Sequence, residues 1–187
     1  MYTLPIDYTK NIKGYALDVY SKDNVLSEVG TIIQYCKYRK QRHFPQRLVD
    51  IAKEKIEKFI KLKFDYIMFI PPTISASQVE YLVVRLADEL NTPIKKGLNK
   101  MCNTTKKKFC IAQKYQKHKK EKQEIIFSCV ECEEIRNKNI LLIDDVCYSG
   151  HTLRTAITFL LTYKPKMIVP LVMANAAKGN IKHQPVE

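Results

Sequence analysis

The chain reads as an α/β domain built on a mostly parallel sheet, and three observations predict this. Apolar runs too short for most helices stand at residues 64–70, 140–143 and 167–173. After the first two, apolar residues recur at helical spacing: Val79, Leu82, Val83, Leu86, Ala87 and Leu90, then Leu153, Ala156, Ile157, Leu160 and Leu161. Each of these two strands reaches its helix through a short turn or loop. Strands alternating with helices imply parallel neighbours joined by right-handed crossovers.

Along the chain, residues 1–24 are irregular apart from a short strand near 15–20. Residues 25–38 read as a helix with Val29, Ile32, Ile33 and Cys36 on one face. Pro45 opens a second helix, where a proline in the first turn is compatible with the start, and Leu48, Val49, Ala52, Ile56, Phe59 and Ile60 face inward. The strand at 64–70 ends at Pro71-Pro72, because proline cannot donate to a ladder. Ser75 with Gln78 and Ser77 with Glu80 are overlapping capping boxes for the third helix. Residues 92–95 suit a short strand. Residues 96–123 lack a clear period and are expected as a flexible loop with a strand around 108–112. Strands follow at 124–130 and 139–145, a helix at 152–163 and a last strand at 166–173. No repeat or low-complexity linker interrupts the 187 residues, so 1–187 is expected as one domain.

At 45% hydrophobic residues the chain can bury an ordinary core. It has no run of about 18 apolar residues, so no membrane span is expected. The N-terminus lacks a signal peptide's charged and apolar regions, so a cytoplasmic protein with reduced cysteines is expected. Cys129 and Cys132 form a CxxC, but no second ligand pair stands at metal spacing. That favours two cysteines near a strand end over half of a zinc site, and no protein metal site is assigned. The net charge is +13, and eleven lysines against the single acid Glu121 fall between Lys95 and Lys122. Such a field attracts anions, including non-specific nucleic acid. The cations are overwhelmingly lysine, which suits a solvated surface better than a groove of arginine forks.

The run Asn139-Ile140-Leu141-Leu142-Ile143-Asp144-Asp145-Val146-Cys147-Tyr148-Ser149-Gly150-His151-Thr152 carries the most specific chemistry. A buried strand ends in two carboxylates, a turn with hydroxyls and a glycine follows, and a helix opens at once. Open α/β sheets bind ligands at the carboxyl ends of their strands, where Asp144 and Asp145 fall. Ionised carboxylates only accept hydrogen bonds, which suits the vicinal hydroxyls of a ribose. Gly150 can adopt positive φ, and the orphan N–H groups of the first helical turn attract a phosphate dianion. Ser149 and Thr152 add hydroxyl donors.

This segment resembles the binding motif for 5-phosphoribosyl 1-diphosphate (PRPP) of type I phosphoribosyltransferases. There a hydrophobic strand leads into an acid pair, two variable residues and Thr/Ser-Gly-x-Thr. The resemblance implies the type I phosphoribosyltransferase fold. It also implies that Asp144 and Asp145 face the ribose while Cys147, Tyr148, Ser149, Gly150, His151 and Thr152 wrap the 5′-phosphate. Purine-salvage members usually carry an Asp where Tyr148 stands, which argues against a hypoxanthine- or guanine-type enzyme. Pro71, Pro72 and Thr73 occupy the place of the loop facing the diphosphate, where a cis X–Pro peptide could aim backbone N–H groups inward. Lys106, Lys107 and Lys108 are the candidate cations for the leaving diphosphate. Mg²⁺ is expected to bind mainly through PRPP. The base pocket, or hood, is expected from residues 1–24 and 174–187.

A wider pattern covers most of the chain. It runs from Gly14-Tyr15-Ala16-Leu17-Asp18 through Gly30, Lys37-Tyr38-Arg39, Pro71-Pro72 and Ser77-Gln78 to Asp144-Asp145, and it resembles the ComF group of phosphoribosyltransferase-like proteins. Three features depart from that group. The N-terminal cysteine-rich zinc element is absent, an Arg-Gly-Phe-Asn-Gln segment is reduced to Ala76-Ser77-Gln78, and lysines replace the central Arg/Gln-rich loop. Two functions stay open. One is Mg²⁺-dependent phosphoribosyl transfer from PRPP to a nitrogenous acceptor, with PRPP or a nucleoside monophosphate as ligand. The other is a non-catalytic module that senses PRPP or nucleotide or binds nucleic acid in DNA uptake or repair, whose mark would be DNA binding that weakens steeply with salt. Integrity of the motif favours the enzyme. Such folds often pair as homodimers.

Overall fold

The computed structural model describes residues 1–4, 12–38, 45–72, 78–102 and 125–176. In chain order the elements are β1 (Tyr2–Leu4), β2 (Gly14–Val19), β3 (Ser21–Lys22), β4 (Val25–Leu26), α1 (Glu28–Tyr38) and α2 (Gln46–Lys55), which runs into a π-helical turn (Ile56–Ile60). Then come β5 (Tyr66–Phe69), α3 (Gln78–Glu89), β6 (Leu98–Cys102), β7 (Ile125–Cys129), a 3-10 turn (Cys132–Ile135), β8 (Asn139–Cys147), α4 (His151–Leu161) and β9 (Met167–Asn175). The central sheet has five strands in the order β1-β2-β9-β8-β5. β2, β9, β8 and β5 are parallel, and β1 adds an antiparallel edge. The predicted α/β class with a mostly parallel sheet is what forms. Among the described residues no helix is long and apolar enough to cross a membrane.

The continuous apolar run in β8 follows from burial on both faces. Leu141 and Ile143 pack with Leu171, Val29, Ile33, Leu48, Leu82 and Leu86, so α1, α2 and α3 cover one side. Ile140 and Leu142 pack with Val172, Leu153, Ala156, Ile157, Leu160, Leu98 and Phe127, so α4 and the β6–β7 pair cover the other.

Several expectations need correcting. The stretch expected as one helix from residue 25 begins instead with a hairpin, β3 against β4. Asp23 and Asn24 take φ of 51° and 63°, the positive values a tight two-residue turn between strands requires. Ser27 then starts the helix: its Oγ accepts from the Gly30 N–H at 2.9 Å and donates to the Val19 carbonyl at 2.6 Å. The short strand expected near 15–20 forms as β2, and residues 1–24 hold more order than expected, because β1 pairs with it and both belong to the central sheet. The first part of the expected flexible loop, residues 98–102, is β6, paired antiparallel with β7 outside the central sheet; residues 103–123, with the strand expected near 108–112, lie outside the described residues. The peptides into Pro71 and Pro72 are trans, there being no cis bond among the described residues; trans is the ordinary state of X–Pro. Cys129 and Cys132 are joined as a disulfide, against the expected reduced thiols. Three-residue separation lets the end of β7 curl back within bonding reach, with the two Cα atoms 5.7 Å apart.

Gly30 shows how tightly α1 seats on the end of β2. A Cβ there would overlap the backbone carbonyl oxygen of Tyr20. Gly30→Ala must therefore shift the helix, at a cost of about 1–3 kcal/mol. Thermal unfolding should show Tm lowered by about 2–10 °C.

Candidate functional site

The carboxyl ends of β2, β9, β8 and β5 share one edge of the sheet, and β8 projects furthest beside β5. The last β5 pairing is Phe69 with Ile143, and the Ile70 N–H closes it on the Ile143 carbonyl at 2.9 Å. From Asp144 to Cys147, β8 continues against β9 alone. The step leaves a notch at the rim, with Asp144 and Asp145 beside it and Pro71-Pro72 across from them. The two segments, distant in the chain, thus lie at the same edge of the sheet. Thr73 and Lys106, Lys107 and Lys108 lie outside the described residues.

Asp144 and Asp145 are both half-buried. The Asp145 N–H donates to Asp144 Oδ1 at 2.9 Å, and the Val146 N–H donates to Asp145 Oδ1 at 2.6 Å. Each carboxylate is thereby pinned by the following amide. Successive strand residues project to opposite faces. The acids therefore straddle the rim instead of lying side by side, and a ligand meeting both must sit across the strand end.

The turn after β8 is compact. Tyr148 is 60% exposed, Ser149 is exposed, and Gly150 takes φ 70° and ψ 1°. That left-handed conformation is one that glycine adopts without strain. Helix α4 follows directly, without a side-chain cap and without an acid in its first turn. The Arg154 N–H makes the first intrahelical bond, to the Gly150 carbonyl at 2.9 Å. The amides of His151, Thr152 and Leu153 precede it and lack an intrahelical partner; that of His151 donates to Ser149 Oγ at 3.4 Å. Uncapped N–H groups at the positive end of a helix dipole form an anion cradle.

Cys147 forms the floor of the turn. Burial pushes its thiol pKa up, the negative charge of Asp144 adds to the rise, and the Gly150 N–H directed at the sulfur opposes both. The thiol is thus kept neutral.

Two residues here escaped sequence reasoning. Arg154 folds back toward the helix N-terminus, as helical side chains do, and its Nη1 lies 3.4 Å from where a Cβ on Gly150 would stand. Its place one turn after the glycine was the available signal. Asn175 ends β9, is 3% exposed, and is paired in register with Cys147 and Val19. A polar residue closing an apolar strand at the carboxyl edge was the signal there. The Ala176 N–H donates to the Cys147 carbonyl at 2.8 Å, tying the end of β9 to the start of the turn.

Two clefts of about 340 and 520 Å³ lie at the opposite, amino edge of the sheet, lined by residues such as Phe64, Asn91, Thr92 and Pro93. They share no residue with the rim just described.

The sequence profile of a family described as the phosphoribosyl transferase domain matches residues 38–185. No curated protein matches the chain by sequence. Among solved structures, a purine phosphoribosyltransferase from Pyrococcus horikoshii is similar at 16% identity and a TM-score of 0.49, over 78% of this chain and 96% of that one. A hypothetical protein from Neisseria gonorrhoeae with bound ppGpp is similar at 19% identity and a TM-score of 0.46, over 73% of each chain. A hypoxanthine-guanine phosphoribosyltransferase from Bacillus anthracis is similar at 16% identity and a TM-score of 0.46, over 74% of this chain and 73% of that one.

Proposed function

Because the chain belongs to the phosphoribosyl transferase domain family, we propose that it binds PRPP at the rim of β8 and transfers the phosphoribosyl group to a nitrogenous acceptor. The observation that carries this reading is the acid pair set directly before an uncapped helix N-terminus, at the carboxyl edge of a parallel sheet. The 5′-phosphate is assigned to the turn of Cys147, Tyr148, Ser149, Gly150, His151 and Thr152, and the ribose hydroxyls to Asp144 and Asp145. The diphosphate is assigned to Pro71, Pro72 and Thr73, with Lys106, Lys107 and Lys108 as countercharge.

In the transfer, the bond from the anomeric carbon to diphosphate oxygen breaks and its electron pair leaves with the diphosphate. The acceptor nitrogen supplies the pair for the new C–N bond. The sugar carbon gains positive character between these events. The chain's part is to hold both ends of the ribose phosphate, so that the anomeric carbon stands over the notch, and to stabilise the departing charge. Mg²⁺ would be held mainly through PRPP, with a carboxylate such as Asp144 or Asp145 as the protein's contribution. When bound, the ion neutralises charge on the leaving group.

Tyr148 supplies no carboxylate where purine-salvage enzymes usually place one, so the proposed acceptor is other than hypoxanthine or guanine. Within the family, the spacing of Lys37-Tyr38, Pro71-Pro72 and Gln78 supports a ComF-like member.

PRPP with Mg²⁺ at about a hundredfold over Kd should stabilise the protein by about 2.7 kcal/mol, raising Tm by about 5–10 °C. Diphosphate release on adding an acceptor would establish turnover, while an unchanged Tm at high PRPP would contradict the reading. Arg154 extends the assignment: Arg154→Ala should weaken binding of ribose 5-phosphate about tenfold, the worth of one charge-assisted contact. Titration calorimetry of both proteins measures it.

A further inference from the structure

The one disulfide among the described residues lies at the root of the β6–β7 ribbon, away from the rim. Cys129 is the last residue of β7 and pairs in register with Leu98, the first residue of β6. Cys132 opens the 3-10 turn and is 2% exposed, packed in the core cluster that holds Phe127, Ile135 and the inner face of α4. The bond therefore fastens the ribbon to the core at its open end.

The groups around it depend on the tight closure. Glu131, between the cysteines, is held at φ 59°, a left-handed conformation that side-chain-bearing residues seldom adopt. It places its carboxylate 3.4 Å from Lys95 Nζ, and Glu134 completes the clamp at 2.7 Å. Lys95 is only 9% exposed, and its hydrogen bond to Glu134 raises its pKa above the ordinary value, so the pair of acids secures its charge. Next to it, the Val130 N–H donates to the Gly97 carbonyl at 3.1 Å. Gly97 sits at φ 118°, where a Cβ would stand 2.5 Å from the Val130 carbonyl oxygen. Disulfide, left-handed Glu131, buried Lys95 and close-packed Gly97 form one connected knot.

We propose that Cys129–Cys132 is a thiol–disulfide exchange site, and that its reduction loosens the root of the ribbon while the central sheet stays folded. The reductant is a thiol or dithiol. Its thiolate attacks the sulfur of Cys129, the more exposed of the two. The S–S electron pair passes to Cys132, which takes up a proton. A second thiol then releases Cys129 from the mixed disulfide, so two thiols are oxidised to a disulfide as the cysteine pair gains two electrons and two protons. Once open, the 129–132 segment is no longer held to the turn that fixes Glu131, and the Lys95 clamp and the Gly97–Val130 contact lose their common anchor. This inference is independent of PRPP binding.

The test uses the full chain, air-oxidised and then treated with dithiothreitol in native buffer. Alkylation followed by peptide mapping should label Cys129 and Cys132 only after reduction. Hydrogen exchange at amides of 98–102 and 125–130 should then run about tenfold faster, with those of β8 and β9 unchanged. The variant with Cys129→Ser and Cys132→Ala, its folding checked by its melting curve, should exchange at the reduced rate with or without dithiothreitol. Cysteines that label equally before reduction, that resist reduction until denaturant is added, or that open with no change in ribbon exchange would each overturn the proposal.

Discussion

Replacing both acids at the end of β8, Asp144→Asn with Asp145→Asn, is expected to weaken PRPP binding by a hundredfold or more while leaving the fold intact. Each acid now accepts a backbone N–H through Oδ1, from Asp145 and from Val146. An asparagine keeps that acceptor, so the strand end should hold its shape, whereas alanine would release two amides at once. What asparagine loses is the charge and one accepting oxygen per residue. A hydrogen bond to a charged group contributes about 1.5–3 kcal/mol, so two of them account for a loss of about 3–6 kcal/mol. PRPP is itself strongly anionic, and carboxylates facing a bare polyanion would repel it. The measurement therefore belongs at saturating Mg²⁺. Tighter binding by the variant would mean that the acids do not face the ribose.

Gly150→Val should be nearly as damaging, for a different reason. The glycine sits at φ 70°, where an L-residue loses about 1–2 kcal/mol and a β-branched one more. A Cβ there would stand 3.4 Å from Arg154 Nη1 and 3.7 Å from Cys147 Sγ. The two further carbons of valine must displace the guanidinium or rise into the space over the helix N-terminus. Binding of ribose 5-phosphate should fall by about a hundredfold, because several charge-assisted contacts are lost together. Tm should drop by only about 3–8 °C, since the turn lies outside both packed faces. Calorimetric titration and a melting curve on one preparation separate the effects. Gly150→Ala, which adds one carbon at an ordinary contact distance, should lie between valine and the unaltered protein.

The parts of the fold that were legible in the sequence are those where local pattern and tertiary burial agree. β8 is apolar throughout because both faces are covered, and α3 and α4 show clean stripes because each packs one side on the sheet. What escaped was set by partners distant in sequence. β6 reads Leu-Asn-Lys-Met-Cys, and only its pairing with Ile125–Cys129 makes it a strand. Gly14–Val19 was legible as a short strand, but its place in the sheet comes from β9, about 150 residues later. Asp23-Asn24 carried a hairpin signal that the apolar residues after it obscured.

At the rim, the order of acids, turn and helix was legible because the chain supplies it as one continuous run. Its detailed geometry was not. Strand alternation sets Asp144 and Asp145 astride the edge, and Arg154 comes into range of Gly150 by folding back over the first turn of α4. The CxxC was read as two unremarkable thiols because neither cysteine's surroundings could be seen from the spacing.

The most direct measurement is a crystal structure of the protein with PRPP and Mg²⁺. Phosphate oxygens within hydrogen-bonding distance of the Thr152 and Leu153 amides, with ribose hydroxyls on Asp144 and Asp145, are the predicted result. A 5′-phosphate bound elsewhere on the protein, or ribose hydroxyls turned away from both carboxylates, would contradict the account.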